Sequence, residues 1–273
     1  MLLISDQLSQ KNPADVGAFF RDVIGANSIK KGAAAQDPVI RGFKYNQLNV
    51  MFDGGLCVTG GCPSRMDPPT SHVQAEDIDR IEIIKGPFSS RYPQTLGGIV
   101  NMVTHNSRSY GDEGLQVGLL SGYESVYGGS RGRVFIKGGK DKFDFYIGGG
   151  AKQYGDYRDG SGETVPSQFK STDYSVKLGV QPSQHQRLQL SWRQSFARDT
   201  IYPALPMDAT IDDTDMLSLD YSHKNVSPLV ASLSAKLYTT MVDHEMDNAN
   251  KPTATKTRAI TTAQTQTIGY RVE

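Results

Sequence analysis

From about residue 107 onward, apolar and polar positions alternate along the chain with a period of two. Phe143, Phe145 and Ile147 share one parity, while Asp144, Tyr146 and Lys152 take the other. Tyr174, Val176, Leu178 and Val180 alternate with Asp173, Ser175 and Lys177. Leu188, Leu190 and Trp192 alternate with Arg187, Gln189, Ser191 and Arg193, and Leu217, Leu219 and Tyr221 with Ser218, Asp220 and Ser222. A period of two sends successive side chains to opposite faces of a sheet. Segments of about ten residues with one apolar and one polar face mark a transmembrane barrel with a wet lumen. Strands are predicted at 114–124, 129–139, 142–154, 172–182, 186–199, 214–225, 229–246 and 260–273. Tight turns fall at Gly139–Asp141, Ser183–His185 and Val226–Pro228, and long links at 155–171, 200–213 and 247–259. Short turns at one end and long loops at the other suit the periplasmic and extracellular ends of a barrel. A soluble sandwich also alternates, but its links need no such pattern.

The first 106 residues read differently. A helical stretch is predicted around Ala14–Ile24, and short extended runs at Leu48–Phe52, Arg80–Ile84 and Ile99–Val103, the last following the Gly97-Gly98 break. This is an α+β domain over 1–106, punctuated by Gly and Pro, ahead of antiparallel transmembrane strands over 107–273. Eight strands can close a small barrel, but its own side chains fill the interior and leave no space for a domain of about 100 residues. The chain also stops at Glu273 within strand-like sequence. The expectation is therefore an N-terminal piece of a longer protein with a larger, partial barrel.

Composition narrows the function classes. A net charge of zero argues against a nucleic-acid partner held by phosphate attraction. No run reaches the eighteen apolar residues of a transmembrane helix. Met1–Ile4 is too short for a signal peptide, and Asp6 interrupts it. No Ser/His/Asp set, phosphate loop or carboxylate pair stands out, and Gly148-Gly149-Gly150 lies inside a predicted strand. The reading is not an enzyme.

Two short signatures carry the chemistry: Cys62-Pro-Ser-Arg-Met66 and His244-Glu-Met246. Thiolate, thioether and imidazole together suit Cu(I) better than hard cations. Pro63 fits the first position of a helical turn that Pro68-Pro69 would stop, placing Cys62 and Met66 on one face. On the strand from Leu229, the odd positions Leu229, Ala231, Leu233, Ala235, Leu237 and Met241 are apolar. His244 and Met246 share the even, lumenal parity of Ser232, Ser234, Lys236, Tyr238 and Thr240, near a long-link end. Cys57 leaves an alternative open, because in an oxidising compartment a Cys57–Cys62 disulfide would remove the thiolate. Met207, in the link Tyr202-Pro-Ala-Leu-Pro-Met207, is a further soft sulfur able to pass copper inward. His72, His105, His185 and His223 have no paired ligand and read as surface or interface residues.

The segments Asp37-Pro-Val-Ile-Arg-Gly-Phe43, Asp53-Gly54, Arg80-Ile-Glu-Ile-Ile-Lys-Gly-Pro87, Ser90-Arg-Tyr92 and Gly97-Gly-Ile-Val-Asn-Met-Val-Thr104 resemble the plug domain of TonB-dependent outer-membrane receptors. The resemblance implies a plug inside a 22-stranded barrel, of which this chain would cover the plug and about a third of the wall. It also implies the outer membrane of a Gram-negative bacterium, surrounding lipid, and the TonB complex as energy-transducing partner. The coupling box and leader that this family carries are not in the sequence. Gly60-Gly-Cys-Pro-Ser-Arg-Met-Asp-Pro-Pro-Thr70 further resembles copper receptors of the OprC/NosA type, which pair a Cys-x-x-x-Met plug segment with a His-x-Met wall segment. That implies a copper uptake receptor with Cys62, Met66, His244 and Met246 as metal ligands and copper, Cu(I) favoured, as cargo. The rival readings are a siderophore or cobalamin receptor with a structural Cys57–Cys62 disulfide, and a passive porin or adhesin, which the plug motif opposes.

Overall fold

A computed structural model describes residues 2–4, 13–62, 65–87, 91–93, 95–107 and 113–273. Met1, Asp6, Pro63 and Ser90, which entered the sequence reading, lie outside the described residues.

The amino-terminal part forms strands β1 (Leu2–Ile4), β2 (Ala26–Lys30), β3 (Gln36–Ile40), β4 (Phe43–Lys44), β5 (Leu48–Phe52), β6 (Ile78–Lys85) and β7 (Gly98–Thr104). One sheet runs β1-β6-β7-β5 with β5 parallel to β7, and a second runs β2-β3-β4. The three extended runs read from the sequence become β5, most of β6 and most of β7. The Arg-Gly pair in Asp37–Phe43 has a local cause. Arg41 and Gly42, at φ of 51° and 86°, make the tight β3–β4 turn, whose positive φ values glycine tolerates.

The predicted helix is only partly realised. Val16–Asp22 is a 3-10 helix, and the other helices among the described residues are 3-10 turns as well. Asp15 caps it by accepting from the Gly17 amide at 2.7 Å and also takes the Ala35 amide at 2.9 Å. Val16, Phe19 and Phe20 are drawn into the core, and Gly17 is pressed against Gln36, where a Cβ would meet the carbonyl oxygen at 2.0 Å. So short a segment gains little from helical cooperativity, and packing sets its geometry.

The wall strands follow: β8 (Gly114–Glu124), β9 (Gly129–Lys140), β10 (Phe143–Tyr154), the small hairpin β11 (Tyr157–Arg158) and β12 (Thr164–Val165), β13 (Phe169–Ser183), β14 (Gln186–Thr200), β15 (Asp208–Lys224), β16 (Ser232–Asp247) and β17 (Ile260–Val272). Apart from the hairpin they form one eight-stranded sheet of order β17-β16-β15-β14-β13-β10-β9-β8, with every pair antiparallel. The sheet is open, with β8 and β17 at its edges. One expected loop is shorter than the sequence suggested. β15 begins at Asp208, because Thr200 and Asp247 on its neighbours still pair with Ala209 and Asp208.

The wall is inside out by the standard of a soluble sheet. Its apolar row is exposed (Leu119, Phe143, Ile147, Leu178, Leu190, Leu219 and Leu237 among others), while Arg133, Asp144, Asp173, Lys177, Arg193, Lys236 and His244 are buried. The buried polar face lies against the amino-terminal domain, and the main core, including Phe52, Leu56, Val58, Val73 and Ile81, takes in Met216 and Val242 from the wall. Ion pairs cross the same interface. Asp77 meets Arg133 at 2.5 Å and also pairs with Arg193, while the Tyr146 hydroxyl donates to it at 3.1 Å. Glu76 lies 3.3 Å from Arg131 and 3.4 Å from Lys152. Although burial opposes ionisation, the two arginines hold the Asp77 carboxyl down at about 2.

Candidate metal centre

The segment after β5 is brought to the wall by glycines and by a carboxylate. Asp67 folds back to accept from the backbone amides of Gly61 and Cys62, the latter at 3.1 Å, and so fixes the direction of the Cys62 side chain. A Cβ on Gly60 would sit 2.5 Å from the Asp67 carbonyl oxygen, and one on Gly61 would sit 2.8 Å from the His244 Cβ. Only glycine permits this approach.

The helical turn expected at Pro63 lies outside the described residues, and its flanks are held by what surrounds them. The Arg65 amide donates to the Cys62 carbonyl at 2.9 Å, and Arg65 has a left-handed φ of 57°, which a regular helix does not contain. The Arg65 side chain grips Asp37 at 2.7 and 3.0 Å, and Lys31 pairs with the same carboxylate. Met66 is thereby held inward and buried, and its carbonyl accepts from the Tyr202 hydroxyl at 2.7 Å.

On β16 the parity is as expected: Leu233, Leu237 and Met241 are exposed, and Lys236, Thr240, His244 and Met246 are buried. Cys62 and Met246, 184 residues apart, touch at 3.7 Å between Sγ and Sδ. Cys62, Met66 and Met246 share one buried cluster with Ala35, Tyr202 and Ala209, and Leu205 and Met207 pack against it. Donor atoms of Cys62, Asp67 and His244 lie within 4.8 Å of one another. All four residues singled out in the two signatures therefore converge on one buried locus. Cys57 and Cys62 are free thiols, and burial pushes the Cys57 thiol up.

Three neighbours were not read as part of the site, although His72 was read as a surface or interface residue and does lie at the interface with the wall. Asp212 is the direct cross-strand partner of His244, with Oδ1 3.5 Å from Nδ1. Asp67 lies 4.0 Å from the same nitrogen, and burial, then the facing Asp212, push its carboxyl above the usual range. His72 sits beneath: its Nε2 donates to the Asp67 carbonyl at 3.2 Å and its Nδ1 accepts from the Thr214 hydroxyl at 2.7 Å. Asp67 adjoins Met66 and was visible as a neighbour in sequence. The Asp212–His244 pairing depends on a register that no local pattern discloses. A bulge between Ala209 and Ile211 shifts this register beside the site, as bulges do where a strand must re-aim a side chain.

Residues 3–99 match the TonB-dependent Receptor Plug Domain family. Over 103 residues the chain is 30% identical to the vitamin B12 transporter BtuB of Vibrio vulnificus, covering 37% of this chain and 16% of that protein. The copper transporter OprC has a similar structure, with a TM-score of 0.89 and 26% identity, over 100% of this chain and 42% of that one. The FrpB iron transporter of Neisseria meningitidis (F3-3 variant) gives a TM-score of 0.82 at 17% identity, over 99% of this chain and 44% of that one. This last likeness speaks of fold alone. The chain spans less than half the length of these relatives, which are transporters rather than enzymes.

Proposed function

We propose that this chain, a TonB-dependent receptor plug domain joined to part of the matching antiparallel barrel wall, belongs to a receptor that captures copper for uptake across a Gram-negative outer membrane. The observation that carries the reading is the contact at 3.7 Å between the Cys62 thiol of the plug and the Met246 thioether of the wall, with His244 buried beside them. Thiolate, two thioethers and imidazole form a soft donor set, which favours Cu(I) over the hard cations. The site joins plug to wall, so any movement of the plug separates Cys62 and Met66 from His244 and Met246. Displacement of the plug by TonB would then both release the ion and open its path. The likeness to the copper transporter supports copper over cobalamin or iron chelates, since the carriers of those ions are too large for a sealed site.

The test is a mutant cycle on the intact receptor with Cu(I) under reducing conditions. Cys62→Ser should nearly abolish binding, because thiolate is the strongest ligand present. His244→Ala should weaken binding strongly alone but add little in the Cys62→Ser background, as expected of residues that act as one site. Additive losses, or Cu(I) binding undiminished in Cys62→Ser, would return the protein to a receptor of unassigned cargo.

A further inference from the structure

The plug meets the eight wall strands with one sign of charge. Across the interface Glu76 pairs with Arg131 and Lys152, Asp77 with Arg133 and Arg193, and Asp53 with Lys177 at 3.6 Å. In each of these pairs the plug supplies the carboxylate and the wall the cation. The wall carboxylates Asp144 and Asp220 are turned to cations of the wall itself, Arg187 and Lys236.

The plug surface that these strands leave uncovered carries the opposite sign. It is flanked by β17, where the Thr267 hydroxyl donates to Thr59 Oγ1 at 3.1 Å, and by the turn after β8, where Lys30 donates to the Tyr127 hydroxyl at 2.6 Å. Among the described residues from 13 to 107, the exposed charged side chains are Arg21, Asp22, Lys30, Arg41, Lys44 and Arg91, five cations to one carboxylate. Lys44 and Arg65 both lie over the Tyr45 ring, 5.3 and 5.1 Å from its centre. Ile24 is 87% and Leu96 69% exposed beside these cations, the mark of a surface that another element covers. At the edge of the wall the sign of the pairing is already reversed: Arg91 of the plug donates to both carboxylate oxygens of Glu273, at 2.8 and 3.1 Å.

We propose that the uncovered plug face docks on further strands of the same wall whose inward side chains are Asp and Glu. The plug is then held between a basic arc, the strands described above, and an acidic arc that receives Arg41 and Lys44. A cation taken out of water without a counter-charge is costly, whereas opposite charges across an interface fix its register. The two signs also give the plug one orientation in the barrel. Turned by half a circle, it would set carboxylates against carboxylates and cations against cations, and like charges in contact reject the wrong arrangement. The inference concerns how the plug is seated and holds whatever the cargo is.

The experiment is zero-length coupling of the intact receptor in detergent with a water-soluble carbodiimide, which joins a lysine amine to a carboxylate in contact with it. Peptide mapping should find Lys44 joined to an Asp or Glu of a wall strand outside residues 1–273. The Lys251–Asp208 pair, 2.6 Å apart with its lysine side chain 11% exposed, serves in the same sample as the standard for reagent access. In parallel, Lys44 should be acylated by a bulky amine reagent at least about tenfold more slowly than the exposed Lys256, since a docked amine reacts only when the contact opens. Acylation of Lys44 as fast as that of Lys256 would show a face open to water and overturn the acidic arc. Coupling of Lys44 to carboxylates within residues 1–273 alone would overturn it too, as would no coupling of Lys44 where Lys251 is joined to Asp208.

Discussion

A single methyl group decides how closely the plug segment approaches the wall. At Gly61 it would fall 2.8 Å from the His244 Cβ and 3.4 Å from the Ala263 Cβ, both on rigid strands. Overpacking of this kind costs about 1–3 kcal/mol when the surroundings cannot move. His244 and Ala263 sit on paired strands, so Gly61→Ala should keep all four proposed ligands and displace Cys62 from His244. Cu(I) affinity is expected to fall about tenfold or more, equivalent to some 1.4 kcal/mol, as measured by competition with a chromophoric Cu(I) chelator. An unchanged affinity would show that the site tolerates a looser approach than the geometry implies.

At the scale of elements, the plug is pinned to the wall by charge as well as by apolar packing. The inward parity of β9, β13 and β14 places Arg133, Asp173 and Arg193 around Asp77 at the end of a short 3-10 turn. Removing one partner from a buried ion cluster strands the others, typically at about 3–5 kcal/mol. Asp77→Asn should therefore lower the thermal or denaturant stability of the plug–wall unit by about that amount, whereas truncation of the exposed pair Lys170–Asp199 should change it by less than about 1 kcal/mol. The cluster also fixes an acid limit. The Asp77 carboxyl is depressed from 3.8 to about 2, so its stabilisation is full above the unfolded value and is lost as pH falls through that window. Asp77→Asn should flatten the stability profile between pH 4 and pH 2; a profile as steep as that of the parent would assign the acid sensitivity to other carboxylates.

For the whole molecule, the exposed apolar face and the open sheet set the requirements for stability. Leu119 is 75% exposed and Ile268 71%, values that suit lipid rather than water. β8 and β17 each have one neighbouring strand in the sheet, and unpaired strand edges are not tolerated in a hydrocarbon environment. These 273 residues by themselves should not give a heat-modifiable, protease-resistant monomer in detergent. Further strands have to cover both edges before the wall closes around the plug. Recovery of a resistant monomer from this chain alone would overturn that expectation.

The sequence by itself determined the strands and their faces. Period-two alternation is a local property, and it located all eight wall strands and the inward parity of His244 and Met246. The two signatures were legible because ligand types at short spacing are also local. What local pattern could not determine was the length of β15, the 3-10 form of Val16–Asp22, the left-handed Arg65 turn, and the carboxylates around His244. β15 is extended by strands on either side, the 3-10 helix is shaped by its contact with Gln36, and Arg65 is held by Asp37. Asp212 faces His244 only because one register, bulged beside Ala209, aligns two long strands. Asp67 joins them only because the plug docks on the wall. Tertiary structure decided these points, since each one depends on groups distant in sequence whose juxtaposition minimises buried unpaired charge and empty volume across an interface.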